Sequence, residues 1–410
     1  MIEYLEVNPK TDCSELTDES SVSFVPMSNV QEKINSVEYD LVPYSKVKKG
    51  FTVFQKGDLI WAKITPCMQN GKSCIVDKMP TQIGFGSTEF HVVRKRSDGI
   101  YMPFIWAILS NDNVLRAAQA TFSGSAGQQR VSASFIEEFP AILPKYDLQV
   151  ELVSKLENAL TTMKQKLKQA DELLFCFEKT VETQCGIQNK TDTKIYYAIK
   201  LKNLDGVVDA KRYMTIHSDI NCTVSDVCEI VDEKVNVSAY ENNVIDWIRI
   251  DDLPNQPLDI ETIRTQPANE VDGTFFRVQK NDILVARLGP TILNQKIVMV
   301  RNTERDTIAS AEFLVLRCKE RYNAEAVMAI LKTAYFCNLM YSHARGSTPS
   351  RYRLNREDML KLPFPDITGI QTNIANEAVA VRCQAQKLRT EAEQEWAVAK
   401  MQFERELLED

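Results

Sequence analysis

Two stretches of this sequence, KGDLIWAKITPCMQNGKSCIV at Lys56–Val76 and KNDILVARLGPTILNQKIVMV at Lys280–Val300, align with each other without a gap. Identical pairs in this alignment include Asp58/Asp282, Ala62/Ala286, Pro66/Pro290, Asn70/Asn294 and Lys72/Lys296. The correspondence continues downstream, where Glu89 matches Glu312 and Arg130 matches Arg353. A duplication of this length predicts two copies of one module in a single chain. It suggests a protein that holds two similar partners at once.

The size and composition are those of a two-domain globular protein. A chain of 410 residues is too long for one ordinary core and suits two domains with connections. No apolar run approaches the roughly 18 residues that a membrane helix needs. The first residues, MIEYLEVNPKTD, are acidic and polar and do not resemble a secretory signal. We therefore expect no membrane association and a cytoplasmic location.

The ten cysteines are scattered along the chain and form no CxxC pair. The closest group is His217, Cys222 and Cys228, which lacks a second pair to complete a tetrahedral zinc site. Free cysteine is among the most commonly buried residue types. The sequence predicts neither a metal site nor disulfides.

The net charge of −7 is concentrated in two segments. Residues 146–186 carry five basic and seven acidic side chains, and residues 366–410 carry five and nine. These segments hold six of the seven excess negative charges, so the remaining parts are nearly neutral. An overall acidic balance therefore does not exclude nucleic acid, because local clustering of cations decides binding.

Each module is followed by a helical segment with a heptad pattern. The first seam comprises Val153, Leu156, Leu160, Met163, Leu167, Ala170, Leu174, Phe177 and Val181. The second comprises Ile374, Ala378, Val381, Ala385, Leu388 and Ala392. Spacings of three and four residues predict coiled-coil helices of roughly 38 residues, about 57 Å long. Large residues on one seam facing alanines on the other favour pairing of these two helices, antiparallel and within one chain.

The modules themselves have mixed secondary structure. FTVFQKGDLIWAKI and FFRVQKNDILVARL each predict two strands joined by a turn, and Phe90–Val93 and Phe313–Leu316 predict further strands. Residues 101–120 and 324–342 have helical spacing. We predict an α+β fold with a pseudo-twofold internal repeat: domain 1 at 1–145, a central helix at 146–186, domain 2 at 187–365 and a C-terminal helix at 366–410.

Catalytic signatures are missing from the sequence. Asn70–Ser73 resembles the end of a phosphate-binding loop, but Pro66 occupies the position of the required glycine, and the second copy has Gln295 in place of Gly71. There is no GxGxxG, no GxSxG and no methyltransferase motif, and the three histidines lie far apart. Carboxylates recur in both copies at Asp58/Asp282 and Glu89/Glu312. We expect them to have capping and turn roles.

Cations and amides cluster in the loop that follows each predicted domain helix. The loops read TFSGSAGQQRVS in the first copy and HARGSTPSRYRLNR in the second. Glycines allow close backbone approach to phosphates, and Arg or Gln can bond base edges with two hydrogen bonds. The alternative, a solvated turn, stays open. The candidate DNA contacts are Lys63, Lys72, Ser125, Gln128, Gln129, Arg130, Arg287, Lys296, Arg345, Ser347, Arg351, Tyr352 and Arg353, with Arg94–Arg96 as a further basic run.

These motifs together resemble a known family. KGDLIWAKITPCMQNGK, GFGSTEFHVV, GSAGQQRV and the heptad helix resemble a target-recognition domain of the specificity (S) subunit of type I restriction–modification systems. VDAKRY at Val208–Tyr213 resembles the lead-in to a second such domain, and RGSTPSRYRL resembles its closing loop. The resemblance covers nearly the whole chain.

The resemblance implies a non-catalytic subunit that reads the two halves of a bipartite double-stranded DNA target. It implies that the paired helices set the gap between the halves and that two methyltransferase (M) subunits dock on this chain. Those M subunits would carry S-adenosylmethionine, so this chain is expected to bind no cofactor, and restriction (R) motor subunits could join. The first domain lacks a counterpart of residues 187–224, and the closing loops differ, so we expect two different half-sites.

Two alternatives remain open from the sequence. The same modules occur in recognition subunits of type IIB-like or phage-exclusion adenine methyltransferase systems. A coiled-coil scaffold with two ligand-binding domains that do not bind DNA would carry the same repeat, but it would show no salt-dependent DNA affinity.

Overall fold

The computed structural model describes residues 3–124, 129–187, 222–235, 243–260, 263–271, 273–303 and 305–409. The chain divides into two compact units, Met1–Lys166 with Glu391–Asp410 and Leu167–Thr390. The elements are mixed helix and sheet, and the predicted α+β class is confirmed. The predicted domain boundaries stay predictions, and the motif at 208–213 lies outside the described residues.

The first unit contains eight described strands in two sheets. The strands are β1 Leu5–Val7, β2 Ser21–Val25, β3 Asp40–Pro43, β4 Thr52–Gln55, β5 Leu59–Ala62, β6 Ser73–Ile75, β7 Ile83–Gly86 and β8 Phe90–Lys95. One sheet has the order β1-β8-β5-β6 and the other β3-β2-β7-β4. The helices are α1 Met102–Leu109, α2 Asp112–Gln119 and α3 Ala133–Glu138, and the long α4 Tyr146–Gln184 begins in this unit and ends in the second.

The second unit repeats this arrangement. Its strands are β9 Cys228–Val231, β10 Lys234–Val235, β11 Val244–Ile248, β12 Arg264–Pro267, β13 Phe275–Arg277, β14 Ile283–Ala286, β15 Ile297–Met299, β16 Thr307–Ser310 and β17 Phe313–Cys318. Its helices are α5 Val224–Val227, α6 Gly289–Leu293, α7 Ala324–Leu331, α8 Ala334–His343 and α9 Arg356–Lys361, and the long α10 Gln371–Glu409 begins in this unit and ends in the first. The sheet orders are β9-β17-β14-β15 and β12-β11-β16-β13-β10.

The two sets of sheets have the same topology strand for strand, with β10 added in the second unit. Both contain one parallel pair, β2 with β7 and β11 with β16, among otherwise antiparallel neighbours. The central strands β5 and β14 are buried at every position because both of their faces are covered. The duplication read from the sequence is therefore a duplication of structure.

A buried aspartate fixes the turn before each central strand. Asp58 accepts a hydrogen bond from the amide of Gln55 at 2.8 Å, and Asp282 accepts the equivalent bond from Gln279 at 2.8 Å. The predicted turn role of this pair agrees with these bonds. Each carboxylate also binds an arginine of the neighbouring strand, so its charge is compensated.

The domain helices differ from the sequence prediction. Residues 101–120 and 324–342, each predicted as one helical stretch, form two short helices apiece. The break falls at a capping residue: the Asn111 side chain accepts from the Asn113 amide, and the Thr333 side chain accepts from the Phe336 amide. Such side chains satisfy exposed amides at a helix start, which favours a new helix over continuation.

The long helices run antiparallel inside each unit. In the first unit Lys155 pairs with Glu406 and Lys166 with Glu395, both at 2.7 Å, so rising numbers on one helix meet falling numbers on the other. In the second unit Arg389 pairs with Asp171 at 3.0 Å. The predicted antiparallel arrangement agrees with these pairs.

The predicted seam residues pack against both helix and domain. In the second unit Ala170 and Ala385, both fully buried, form a cluster with Leu174, Leu388 and Leu258. Other seam residues belong to the domain cores. Leu156 and Val153 join the first core, and Phe177, Val181 and Ile374 join the second. Met163 and Ala378 are buried, and Leu160, Leu167 and Val381 are half-buried.

A glutamine at the start of each long helix ties that helix to its domain. The Gln149 amide accepts from the backbone of Tyr101 at 2.9 Å and donates to the carbonyl of Gly99 at 3.2 Å. Gln371 accepts from Asn323 at 2.8 Å and donates to Arg321 at 3.0 Å. The same brace in both units fixes where the helix leaves its domain.

Candidate nucleic-acid interface

Three chain segments meet at the same place in each unit. In the first unit Lys63 follows β5, and its amide donates to the carbonyl of Glu89 at 2.9 Å. The carbonyl of Lys63 then accepts from Val131 of the closing loop at 2.9 Å. Because these bonds extend the strand ladder beyond β5, they bring the side chains of residues 63, 89 and 130 to one edge of the sheet.

The second unit has the same junction. The amide of Arg287 donates to the carbonyl of Glu312 at 3.1 Å, and the carbonyl of Arg287 accepts from Leu354 at 2.8 Å. We call Lys63, Glu89 and Arg130 the first triad and Arg287, Glu312 and Arg353 the second triad. Each triad has two cations and one carboxylate, so it carries one net positive charge.

A two-pronged ion pair closes each triad. Arg130 donates to Glu89 through Nε at 2.9 Å and through Nη2 at 2.7 Å. Arg353 donates to Glu312 through the same two atoms, at 3.2 and 3.1 Å. The hydrogen bond from Arg130 holds the pKa of Glu89 below its ordinary value, and Lys63 contributes to the same shift. The predicted capping and turn roles do not fit Glu89 and Glu312, because their carboxylates pair with arginines of the closing loops.

The closing loops are narrow and held at their base. Ser123 and Arg130 exchange backbone hydrogen bonds at 3.1 and 2.9 Å, and Arg345 and Arg353 do so at 3.0 and 2.8 Å. Gly346 is required in the second loop, since a Cβ there would lie 2.4 Å from the carbonyl oxygen of Arg351. Ser125 and Gln128, two predicted contacts of the first loop, lie outside the described residues.

The other predicted loop residues differ in exposure. Gln129 is half-buried, and its carbonyl accepts from the Thr65 amide at 3.0 Å. Ser347 and Arg351 are exposed. Tyr352 is half-buried, with its ring centroid 6.0 Å from that of Tyr341.

The arginines of the second loop are mostly paired. Arg345 lies 3.5 Å from Asp358, and Arg356 pairs with Asp232. No ion pair involves Arg351 within the part of the chain that the structure describes. Arg351 is therefore the loop arginine best placed to reach an anion.

Lys72 and Lys296 each donate to a backbone carbonyl at matching positions of the two modules. The Lys72 ammonium donates to the Met27 carbonyl at 3.3 Å, and the Lys296 ammonium donates to the Ile250 carbonyl at 3.2 Å. An ammonium has three donors, so each lysine keeps capacity for a phosphate. The backbone amides of Asn70, Gly71 and Lys72 are bonded to Pro66, Met68 and Cys67, which leaves no amide cradle for a nucleotide phosphate.

One residue of the second triad, Arg287, and one residue beside the first triad, His91, have buried side-chain nitrogens. The Nε of Arg287 is buried and has no hydrogen-bond partner. His91 is buried beside the first triad, where its Nε2 lies 2.9 Å from the Val131 carbonyl and its Nδ1 lies 3.1 Å from the Asn8 amide nitrogen. A carbonyl can only accept, so Nε2 donates. Burial lowers the pKa of His91 and favours this neutral form.

The basic run at 94–96 is not a free phosphate-binding surface. Arg94 donates to the buried carboxylate of Asp58 through Nε at 2.8 Å and Nη2 at 2.7 Å. Arg96 donates to the Leu5 carbonyl at 3.0 Å, and Lys95 pairs with Asp98 at 3.1 Å. The expectation that Arg94 contacts phosphate does not fit this arrangement, because its guanidinium neutralises the turn aspartate.

The fold has two repeated α+β modules, each followed by a long helix, and each module has a junction of two cations and one carboxylate. No protein-family model matches the sequence. Among curated proteins, the chain is 35% identical over 182 residues to the type I restriction enzyme EcoAI specificity subunit of Escherichia coli. That match covers 44% of this chain and 31% of that protein.

A second relative is the type I restriction enzyme EcoEI specificity subunit of Escherichia coli, 32% identical over 182 residues, with 44% of this chain and 30% of that protein covered. The matched stretch spans about a third of the length of these relatives. The predicted resemblance to specificity subunits of type I restriction–modification systems is confirmed by them.

Three solved structures match along most of the chain, at low identity and with TM-scores below 0.5. The S subunit (HsdS) of Thermoanaerobacter tengcongensis is 13% identical, with a TM-score of 0.36 over 95% of this chain and 90% of that one. The S subunit of M. genitalium is 11% identical, with a TM-score of 0.42 over 99% and 94%. A chain from a structure of a type I R-M system is 14% identical, with a TM-score of 0.46 over 95% and 91%.

Proposed function

We propose that this chain is the DNA sequence-specificity subunit of a type I restriction–modification complex and has no catalytic activity of its own. Each module reads one half of a bipartite double-stranded target. The observation that carries the proposal is the triad found at the same junction of both modules, with one net positive charge and a flanking Gly/Ser loop. Cations supply phosphate affinity, and loop side chains supply base contacts.

The proposed DNA-facing surface consists of the triads, Lys72 and Lys296, and the two closing loops. In the first loop it includes Ser125, Gln128 and Gln129, and in the second Arg345, Ser347, Arg351 and Tyr352. The side chains of the two closing loops differ in size and charge. We therefore propose that the two modules read different half-sites.

We propose that the long helices receive two methyltransferase subunits, which bind S-adenosylmethionine, and that restriction subunits join this complex in the cytoplasm. The helix surfaces support protein docking better than DNA contact, because they are acidic overall and carry exposed apolar residues. Phe175 and Met401 are each 60% exposed and Val398 is 55% exposed. The described residues contain no helix long and apolar enough to cross a membrane.

A single-molecule methylome of the host with and without this gene tests the proposal. Loss of N6-methyladenine at one bipartite motif upon deletion is the expected result. An unchanged methylome, together with failure of the chain to co-purify a methyltransferase subunit, would refute it.

The helices are proposed to set the gap between the half-sites. Deleting one heptad from each long helix removes about 10 Å, or about three base pairs. We expect the methylated motif to keep both half-sites with a shorter gap. Replacement of residues 1–145 by the corresponding domain of another specificity subunit is the matched control, because it should change one half-site and leave the gap unchanged.

A further inference from the structure

The ion pairs of the triads occupy one of the two arginine edges that can bind a base through a pair of donors. Arg130 and Arg353 each present Nε and Nη2 to a carboxylate, in the same geometry and at the same position of two modules that otherwise differ in sequence. A guanidinium reads guanine through two parallel donors of this kind. That edge is already in use in both modules.

The carboxylates are not needed to compensate buried charge. The side chains of Arg130 and Arg353 are 41% and 47% exposed, so water could solvate them. A glutamate on a DNA-facing surface would repel phosphate unless a cation neutralised it. Its recurrence in both triads therefore requires a gain that outweighs this repulsion.

The base of the closing loop provides that gain. Arg130 pairs through its backbone with Ser123 across the loop and Arg353 with Arg345, while Glu89 and Glu312 are bonded through their carbonyls to Lys63 and Arg287. The ion pair therefore joins the loop through side chains to the residue before β8 or β17, while backbone bonds join the loop to the residue after β5 or β14.

We propose that Glu89 and Glu312 are positioning residues for DNA recognition, which hold the closing loops through Arg130 and Arg353. This inference rests on the proposed function. Arg130 and Arg353 then act on the loop, and sequence is read by other side chains, including Gln129 in the first module and Arg351 in the second. Lys63 and Arg287 supply the positive charge of each junction.

A charge exchange separates positioning from base reading. In the full chain, Glu89→Gln and Arg130→Ala each break the pair, and the double variant Glu89→Arg with Arg130→Glu restores it in reverse. Amide hydrogen exchange at Ser123 and Arg130 measures the loop without DNA. We expect amide exchange to be up to about fivefold faster in the single variants, because a partly exposed ion pair stabilises by up to about 1 kcal/mol. The double variant should exchange at the rate of the parent chain. Glu15→Gln, at an exposed glutamate, is the control for the same chemical change.

The methylated motif of cells that express each variant with the methyltransferase subunits provides the second readout. We expect the double variant to recover methylation to within about fivefold of the parent at the same first half-site. Recovery of loop protection with a loss of about 5- to 150-fold in methylation would show that Arg130 reads a base, and it would overturn the inference. Unchanged exchange in Glu89→Gln would overturn it as well.

Failure of the proposed function gives a different result. The parent chain would then support no bipartite methylation, while the exchange measurement would still report on the loop. The same pair of variants at Glu312 and Arg353 should affect the second half-site only, which provides an internal replicate.

Discussion

The two modules share their framework but differ where the domain helices meet the long helix. Three aligned positions show the difference. In the second module Arg301, Glu325 and Arg382 form an ion cluster, with Arg382 donating to Glu325 at 2.7 Å. In the first module the same positions hold Asp77, Pro103 and Leu160.

These three residues of the first module line a cavity of about 580 Å³, together with the aromatic side chains of Tyr39, Tyr101, Trp106, Tyr146 and Trp396. In the second module, Arg382 of the ion cluster and Leu258 line a smaller cavity, with a volume of about 190 Å³. Apart from the added β10, the two modules share their strand order, turn aspartates and glutamine braces, and each has a triad of two cations and one carboxylate. The framework therefore tolerates either an open cavity at this junction or a cluster of ion pairs.

Removal of the turn aspartates should have the largest effect and should be similar in both modules. Asp58→Ala or Asp282→Ala leaves a partly buried arginine without its partner and an amide without its acceptor, at a cost of about 3 to 5 kcal/mol. Arg317 is more exposed than Arg94, 31% against 17%, so the loss should be somewhat smaller for Asp282→Ala. Hydrogen exchange resolved to β5 and β14 measures each loss. Asp→Asn variants, which keep the acceptor, are the control, and a silent alanine variant would contradict the shared-framework argument.

Changes in the ion cluster should affect the second module alone. Glu325→Ala leaves Arg301 and Arg382 adjacent and partly buried, with Asp259 as their remaining carboxylate, so we expect a loss of about 1 to 3 kcal/mol in that unit. Pro103→Ala at the aligned position of the first module removes no charge and should cost less than about 1 kcal/mol. Thermal unfolding of both variants against the parent chain tests this contrast. Equal effects would mean that the two junctions are energetically alike.

Arg351 should distinguish the modules in their salt dependence. Arg351→Ala removes one phosphate or base contact from the second module, so the slope of log binding constant against log salt for duplex DNA should fall by about one. Gln129→Ala in the first module removes no charge and should leave the slope unchanged. Titrations of the full complex over a range of salt concentrations provide the measurement. An unchanged slope for Arg351→Ala would place that arginine away from DNA.

The smallest expected effect is a pH dependence confined to the first module. The pKa of His91 is lowered, chiefly by burial, and the aligned position of the second module is Leu314. The unfolded chain binds the proton more readily, so the first unit should lose stability as pH falls through the ordinary histidine value of 6.5. His91→Leu should remove this dependence, as judged by hydrogen exchange at pH 7 and pH 5.5. A similar loss in the second unit would point to another titrating group.

Local patterns were sufficient for most of the fold. The apolar and β-branched runs around Asp58 and Asp282 predicted the strand pairs, and the heptads predicted both long helices. The helix breaks at Asn111 and Thr333 were missed because helical spacing continues through them, although a capping residue marks each break. At both positions the capping hydrogen bond starts a new helix, although the helical spacing of the apolar residues continues.

The cations of the candidate site were predicted from the sequence, but the two glutamates and their pairing were not. Repetition identified Lys63 and Arg130 with their counterparts Arg287 and Arg353, whereas Glu89 was expected to have a capping or turn role. Nothing local indicates that Glu89 meets Arg130, because this contact joins segments 41 residues apart through the sheet edge. The same reason hid the Arg94–Asp58 pair. Contacts of this kind depend on the register of β5 and β8, which the sequence pattern does not specify.

The division of the long helices between the units has a consequence for biosynthesis. The second unit is one continuous segment, Leu167–Thr390, whereas the first combines Met1–Lys166 with Glu391–Asp410. Phe403 lies in the core of the first unit, with its ring centroid 5.8 Å from that of Phe104. Domains fold as units during synthesis. The first unit is therefore synthesised first but completed last. Until residues 391–410 have been synthesised, the apolar surface that Phe403 covers in the folded chain stays exposed.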